Sequence, residues 1–97
     1  MINIKVKQFI GNRGNIVKNQ FILETSEGKY FQSYESIIAF IPCYSPGDHK
    51  TILDKNYWDY STTTGKYRNQ FLNEDKKETE RKIKEGIYIL SDLNNKG

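Results

Sequence analysis

Few side chains in this chain could do covalent or metal chemistry. The one Cys, Cys43, and the one His, His49, share the stretch Pro42-Cys43-Tyr44-Ser45-Pro46-Gly47-Asp48-His49-Lys50. A Cys beside a His is the pairing that makes a thiolate nucleophile. Such a pair must be held to fractions of an ångström, and a loop this rich in Pro and Gly is a poor platform because it forms no regular ladder. The reading is therefore a small packed Cys43 and a solvated His49. A single Cys also excludes an intrachain disulfide and every multi-Cys metal site, and it suits a reducing compartment. Asp54 and Asp59 flank an aromatic stretch. They could form an acid–base pair, or hold a metal if the chain folded back there. Glu74, Asp75, Glu78 and Glu80 stand among lysines and read as a solvated helix face. No catalytic set, metal site or cofactor site is expected, and the chain is read as non-enzymatic.

Two segments imitate phosphate-binding motifs. Ser61-Thr62-Thr63-Thr64-Gly65-Lys66 contains the Gly-Lys of a P-loop. That motif also needs a Gly five residues earlier, to form the backbone cradle, and a hydroxyl after the Lys, to hold Mg²⁺. Tyr60 and Tyr67 occupy those places, so the segment reads as a capped helix start. Gly11-Asn12-Arg13-Gly14 has the spacing of a KH clamp. KH loops clamp a nucleic-acid backbone and join helices, whereas this segment joins two strands and reads as a hairpin turn.

Charge is more informative. Net charge is +3, yet residues 1–20 alone carry Lys5, Lys7, Arg13 and Lys18 with no acid. A basic hairpin face can meet phosphate or an acidic protein surface; the plain alternative is Lys that guards a sheet edge against pairing. Tyr57-Trp58-Asp59-Tyr60 then precedes Lys66, Tyr67, Arg68 and Gln70. Tyr, Trp and Arg dominate binding hot spots, and aromatics beside cations suit unpaired bases. Trp58, Tyr67 and Phe71 read as core anchors. Tyr60, Lys66, Arg68 and Gln70 read as exposed, and Tyr57 joins them as a candidate contact.

The elements that must position these groups follow from pattern. Ile2, Ile4 and Val6 alternate with Asn3, Lys5 and Lys7, which is the period of a half-buried strand, with the apolar set inward. Gly11 to Asn15 is a turn. Residues 16–25 form a second strand, with Val17, Phe21 and Leu23 on one face and Asn19 interrupting it. After the turn 26–29 come a strand over 30–34, the apolar run Ile37-Ile38-Ala39-Phe40-Ile41 and a short strand over 51–54. Ser61 or Thr62 caps a helix to about Leu72, with Thr64, Tyr67 and Phe71 on one face. Gly65 weakens that helix by ~1 kcal/mol relative to Ala. Asp75, with Glu78 three residues on, starts a second, surface helix, and Gly86 is placed to end it. Ile87 to Leu90 is a last strand.

The residues Tyr30-Phe31-Gln32-Ser33-Tyr34, Ile37 to Ile41 and Trp58-Asp59-Tyr60-Ser61-Thr62-Thr63-Thr64-Gly65-Lys66-Tyr67-Arg68-Asn69-Gln70-Phe71-Leu72 resemble a family of short proteins of phages and prophages, largely of low-GC bacteria. The likeness covers residues 30–72 and extends weakly toward Leu93. The Pro42–Lys50 loop is longer than the simple turn of that pattern. The resemblance implies a phage setting inside a bacterial cell and carries no catalytic roles.

The expectation is an α+β fold in one domain, a mainly antiparallel sheet of five or six strands with two short C-terminal helices packed on it. Residues 1–25 form a basic hairpin, 26–54 central strands, 61–85 the helices and 87–90 the last strand. No run of apolar residues is long enough for a spanning helix. The alternating N-terminus is unlike a signal peptide, so a cytoplasmic place in the bacterial host is expected. The expected function is binding: an accessory protein that occupies a host or phage protein or nucleoprotein, in its most concrete form an inhibitor of a defence system such as a CRISPR nuclease. A single-stranded nucleic-acid-binding module is the alternative. Lys5, Lys7, Arg13, Lys18, Tyr57, Tyr60, Lys66, Arg68 and Gln70 are the candidate contacts.

Overall fold

The structure, a computed structural model, describes residues 4–43 and 50–94. His49 and Ile2 lie outside these residues, so the Cys43–His49 pairing and the start of the first strand do too. The elements run β1 (Lys5–Ile10), β2 (Ile16–Thr25), β3 (Gly28–Ser33), β4 (Ser36–Pro42), β5 (Ile52–Asp54), α1 (Thr62–Leu72), α2 (Lys76–Lys84) and β6 (Ile89–Ser91). This is the expected α+β arrangement. The six strands form one sheet in sequence order. Every neighbouring pair is antiparallel except β5 and β6, which the two helices separate in sequence and which therefore pair in parallel.

The helices lie on one face of the sheet, α2 meeting the core through Ile83. Phe9 and Phe31 carry the α1 contact: the Phe9 ring stands 5.4 Å from Phe31 and 5.5 Å from Tyr67, and Phe31 stacks 5.6 Å from Phe71. With Val17, Ile38, Ala39, Leu53 and Tyr88 these phenylalanines form the buried core. The i, i+3, i+7 face of α1 is as expected: Thr64 lies at 3.0 Å from the Ser33 hydroxyl, Tyr67 packs on Phe9 and Phe71 on Phe31.

The inward face of β1 is a correction. Ile4 and Val6 are 57% and 61% exposed, and Phe9 is the buried residue of that strand. The register explains it. Val6 pairs with Leu23, Leu23 with Tyr30 and Tyr30 with Phe40, a row on the face opposite the helices. Lys5 and Lys7 lie on the helix side in phase with Phe9, beyond the reach of two short helices. The expected face of β2 is also split. Between Gln8 and Phe9 of β1, the partner on β2 jumps from Phe21 to Val17. Asn19 takes a positive φ of 65° within that irregularity, which puts Val17 on the helix side while Phe21 and Leu23 stay on the other.

The β2–β3 turn is closed by the Thr25 hydroxyl, which accepts from the Glu27 and Gly28 N–H groups. Gly28 is needed there: its φ is +153°, and a Cβ would sit 2.3 Å from the Ile41 carbonyl oxygen. The helix ends follow the sequence signals. Ser61 accepts from Thr64 N–H and Asp75 from Glu78 N–H. Gly86, with φ +77°, closes α2 as Ile87 N–H donates to Lys82 and Gly86 N–H to Ile83, the paired bonds of a Schellman ending.

Candidate anion-binding cleft

The Trp-Asp…Arg block builds the support of the site rather than its contact surface. Arg68 is 1% exposed, which corrects its expected exposure. Its Nη1 donates to the Trp58 carbonyl at 2.6 Å and to Asp59 Oδ1 at 3.3 Å, and Nη2 donates to Asn69 Oδ1 at 2.9 Å. The guanidinium also lies over the Trp58 ring, 5.2 Å from its centroid. The physical reason is position: Arg68 is one turn beyond Thr64 on the inward side of α1, and the 58–59 backbone turns back over it. Asp59 bridges onward to Lys76 at 2.8 Å, at the start of α2. That Lys76 hydrogen bond, then Arg68, holds the Asp59 carboxyl below its ordinary value, and Asp59 in turn raises the Lys76 ammonium.

With α1 fixed in this way, its outward side faces the tip of the β1–β2 hairpin. Gln70, expected to be free, is half-buried and donates from Nε2 to the Ile10 carbonyl at 2.6 Å. The turn closes on itself through Gly11 N–H to Asn15 at 2.8 Å and Gly14 N–H to Gly11 at 2.9 Å. Between hairpin tip and helix lies a cleft of about 430 Å³ lined by Gly11, Asn12, Arg13, Asn15, Lys66, Tyr67 and Gln70. Three of the sequence candidates, Arg13, Lys66 and Gln70, thus meet in one place although 53 to 57 residues separate the first from the others. Arg13 and Lys66 are exposed, and neither makes an ion pair among the described residues. Lys66 Nζ rests 5.3 Å from the Tyr67 ring centroid, which aims the ammonium along the cleft wall. Two cations, three side-chain amides and a tyrosine edge can receive an anionic group with several hydrogen bonds. Asn12 and Asn15 were not singled out from sequence, although amides flanking an Arg at a hairpin tip are the signal that could have found them.

The remaining candidates lie elsewhere. Lys5 and Lys7 are exposed on the helix side of β1, and Lys7 pairs with Glu24 at 3.2 Å. Lys18 is exposed within the irregular part of β2. Tyr57 is half-buried against the core, with its ring edge-on to Tyr60 at 5.6 Å. Tyr60 is 65% exposed, but the hollow it lines is shared with Asn19, Ser33, Tyr34, Ser36 and the acid Glu35, not with the cations.

The two aspartates offered as an acid–base pair have structural employment. Asp54 is fully buried. Its carboxylate accepts from Asn56 and Tyr57 N–H on one oxygen and from Leu93 N–H and Asn94 Nδ2 on the other. Asp59 is spent on Arg68 and Lys76. Glu74, read as solvated, is also engaged. It accepts from Thr79 at 2.6 Å, Tyr88 at 2.9 Å and Lys82 at 2.7 Å, which ties α2 to the last strand. No group of three metal-ligating side chains occurs among the described residues, and no helix among them is long and apolar enough to cross a membrane.

Residues 4–86 match a protein family of unknown function, DUF8033. No curated protein and no solved structure matches the chain.

Proposed function

We propose that this chain, which belongs to the DUF8033 family of unknown function, is a non-enzymatic binding protein whose hairpin–helix cleft seats carboxylate side chains of a protein partner. The observation that carries this is the convergence of Arg13 and Lys66, both exposed and without an ion pair, on a cleft otherwise lined by amides and Tyr67. Cations free of ion pairs beside side-chain amides offer an acidic side chain charge-assisted bonds without first breaking an internal ion pair. The engagement of Asp54, Asp59 and Glu74 in internal bonds supports binding over catalysis. The resemblance to phage proteins supports a partner in the bacterial cytoplasm, and inhibition of a defence nuclease is the most concrete form of the reading.

A single-stranded nucleic acid is the second reading, favoured by the exposed Tyr60. It is weaker because Tyr60 stands beside Glu35, and because Tyr67, at the cations, packs edge-on against Phe9 rather than offering a free ring. Affinity capture from host lysate, with and without nuclease, tests both. A partner that survives nuclease and is lost with the Arg13→Glu/Lys66→Glu pair upholds the proposal. Capture abolished by nuclease, with single-strand binding that weakens steeply with salt, transfers the cleft to the second reading. Capture indifferent to the charge reversals overturns the cleft.

A further inference from the structure

The helices cover one face of the sheet; among the described residues no helix lies on the other. Val6, Leu23, Tyr30, Phe40, Ile52 and Ile89 form an apolar row across all six strands of that face. The Tyr30 and Phe40 rings pack 4.4 Å apart at its centre. The row is not a buried core: Val6 is 61% exposed and Ile89 42%. Beside it, a shallow hollow of about 280 Å³ opens between Ile4, Leu23, Tyr30 and Ile37, with Glu27 at its rim.

We propose that this face is the interface of a homodimer, with a second copy of the chain seated sheet against sheet. Charge selects that occupant. Lys5, Lys7, Glu24 and Lys29 all take register positions on the helix side, and the positions paired along the bare face of β1 to β4 are apolar or uncharged; Asp54, paired with Ser91 at the far end, is fully buried and bonded within the chain. A face whose paired strand positions carry no exposed charge, with Glu27 only at the rim of the hollow, can be copied onto itself with little like-charge penalty, whereas a partner chosen by charge finds little to hold. A lipid surface is disfavoured for the same reason, since Lys5 and Lys7 of β1, which could attract headgroups, take register positions on the other face. Shape agrees. In a two-fold contact each copy presents the same knob and the same hollow. Val6 of one protomer stands out as the knob, and the hollow beside Leu23 and Tyr30 of the partner is large enough to receive it.

Area sets the strength. Strands β1 to β4, ~4.8 Å apart and rising ~3.3 Å per residue, span a plane of roughly 20 by 20 Å. That is roughly 400 Å² before side-chain relief is counted, against about 800 Å² of accessible surface per partner in a standard interface. The dimer is accordingly a weak one, at the small end of specific interfaces.

Sedimentation of the full chain from about 1 to 500 µM, a range in which weak association shows as a rising mass, tests it. The expected result is a weight-average mass rising from 11.4 kDa toward twice that value. Val6→Lys should weaken association by about tenfold or more, the scale of a charge placed in an apolar interface, with the thermal midpoint unchanged because the site is exposed. If Val6→Lys does not fold, Ile4→Lys, at a site 57% exposed, replaces it. A monomer at every concentration overturns the proposal and leaves the face to a different partner. A dimer that neither lysine weakens places the interface elsewhere and overturns it equally.

Discussion

Arg68 shows how little a residue type says until its surroundings are known. Arginine is one of the three residue types enriched at binding hot spots, and this one is buried under Trp58 with donors turned inward to Trp58, Asn69 and Asp59. Nothing in a list of neighbours distinguishes the two fates, because the deciding partner is a backbone carbonyl ten residues away. Arg13 and Lys66 could be read from sequence as candidate basic contacts; that they line one cleft could not. The Asp59–Lys76 contact carries a pH signature. Asp59 titrates below its ordinary value of 3.8 because Lys76, and then Arg68, hold its charged form. Its contribution to stability is thus present above that value and is lost as pH falls through the lower folded value. Lys76 is raised above 10.5, so its share is full below that value and is lost as pH rises past it. Both groups are well exposed, and the effect is correspondingly small. Asp59→Asn should flatten the acid limb of the thermal midpoint measured from about pH 5 to 2, with little change near neutrality. A variant whose acid limb parallels that of the original chain would remove the pair from the account.

At the scale of elements, pattern was enough. All six strands and both helices form close to where alternation, turn residues and caps place them, because two Gly and two Asn mark the hairpin tip, Ser61 and Asp75 cap the helices and Gly86 is a left-handed stop; the bounds move where local signals are weak, β3 starting at Gly28 inside the expected turn and β6 running from Ile89 to Ser91 rather than from Ile87 to Leu90. What pattern did not settle is which face of each strand meets the helices. A period of two divides a strand into two faces but does not say which is covered, and the irregularity at Asn19 exchanges them partway along β2. The cleft was half legible for the same reason: its cations were visible, while their meeting depends on the Gln70 to Ile10 bond. Gly65 gives a test confined to one element. It sits inside α1, where Gly costs ~1 kcal/mol relative to Ala. A Cβ there would meet only the Arg68 guanidinium, at 3.6 to 3.8 Å, which is ordinary contact. Gly65→Ala should stabilise the protein by about 0.5–1 kcal/mol, read as a higher denaturant midpoint with an unchanged slope. A loss of stability would mean that the Trp58–Arg68 stack leaves no room for a methyl group.

For the molecule as a whole, the question is what joins the first half of the sheet to the segment that returns after the helices. β6 is three residues long and exposed, so its parallel pairing with β5 supplies little burial. Asp54 supplies the fastening instead. One of its oxygens shapes the 55–58 turn that leads into the helices. The other holds Leu93 and Asn94, and Asn94 donates to the Ile37 carbonyl while accepting from the Ile37 N–H along the free edge of β4. A single buried carboxylate thus links β4, β5, the entry to α1 and the C-terminal segment. Removing it strands several buried donors, and an unsatisfied donor costs ~1–3 kcal/mol. Asp54→Ala should therefore cost about 3–5 kcal/mol, a large share of the ~5–15 kcal/mol typical of a whole domain. Asn94→Ala breaks only the edge contact and should cost on the order of 1–2 kcal/mol. Because both side chains serve the same fastening, the double variant should lose less than the two single losses added together, by about 0.5 kcal/mol or more. Denaturant unfolding of the four proteins measures each term, and amide exchange at Leu93 should quicken in Asp54→Ala before the sheet core opens. Strictly additive losses would show that Asp54 and Asn94 hold separate parts of the molecule, and that packing of Tyr88 alone keeps the last strand in place.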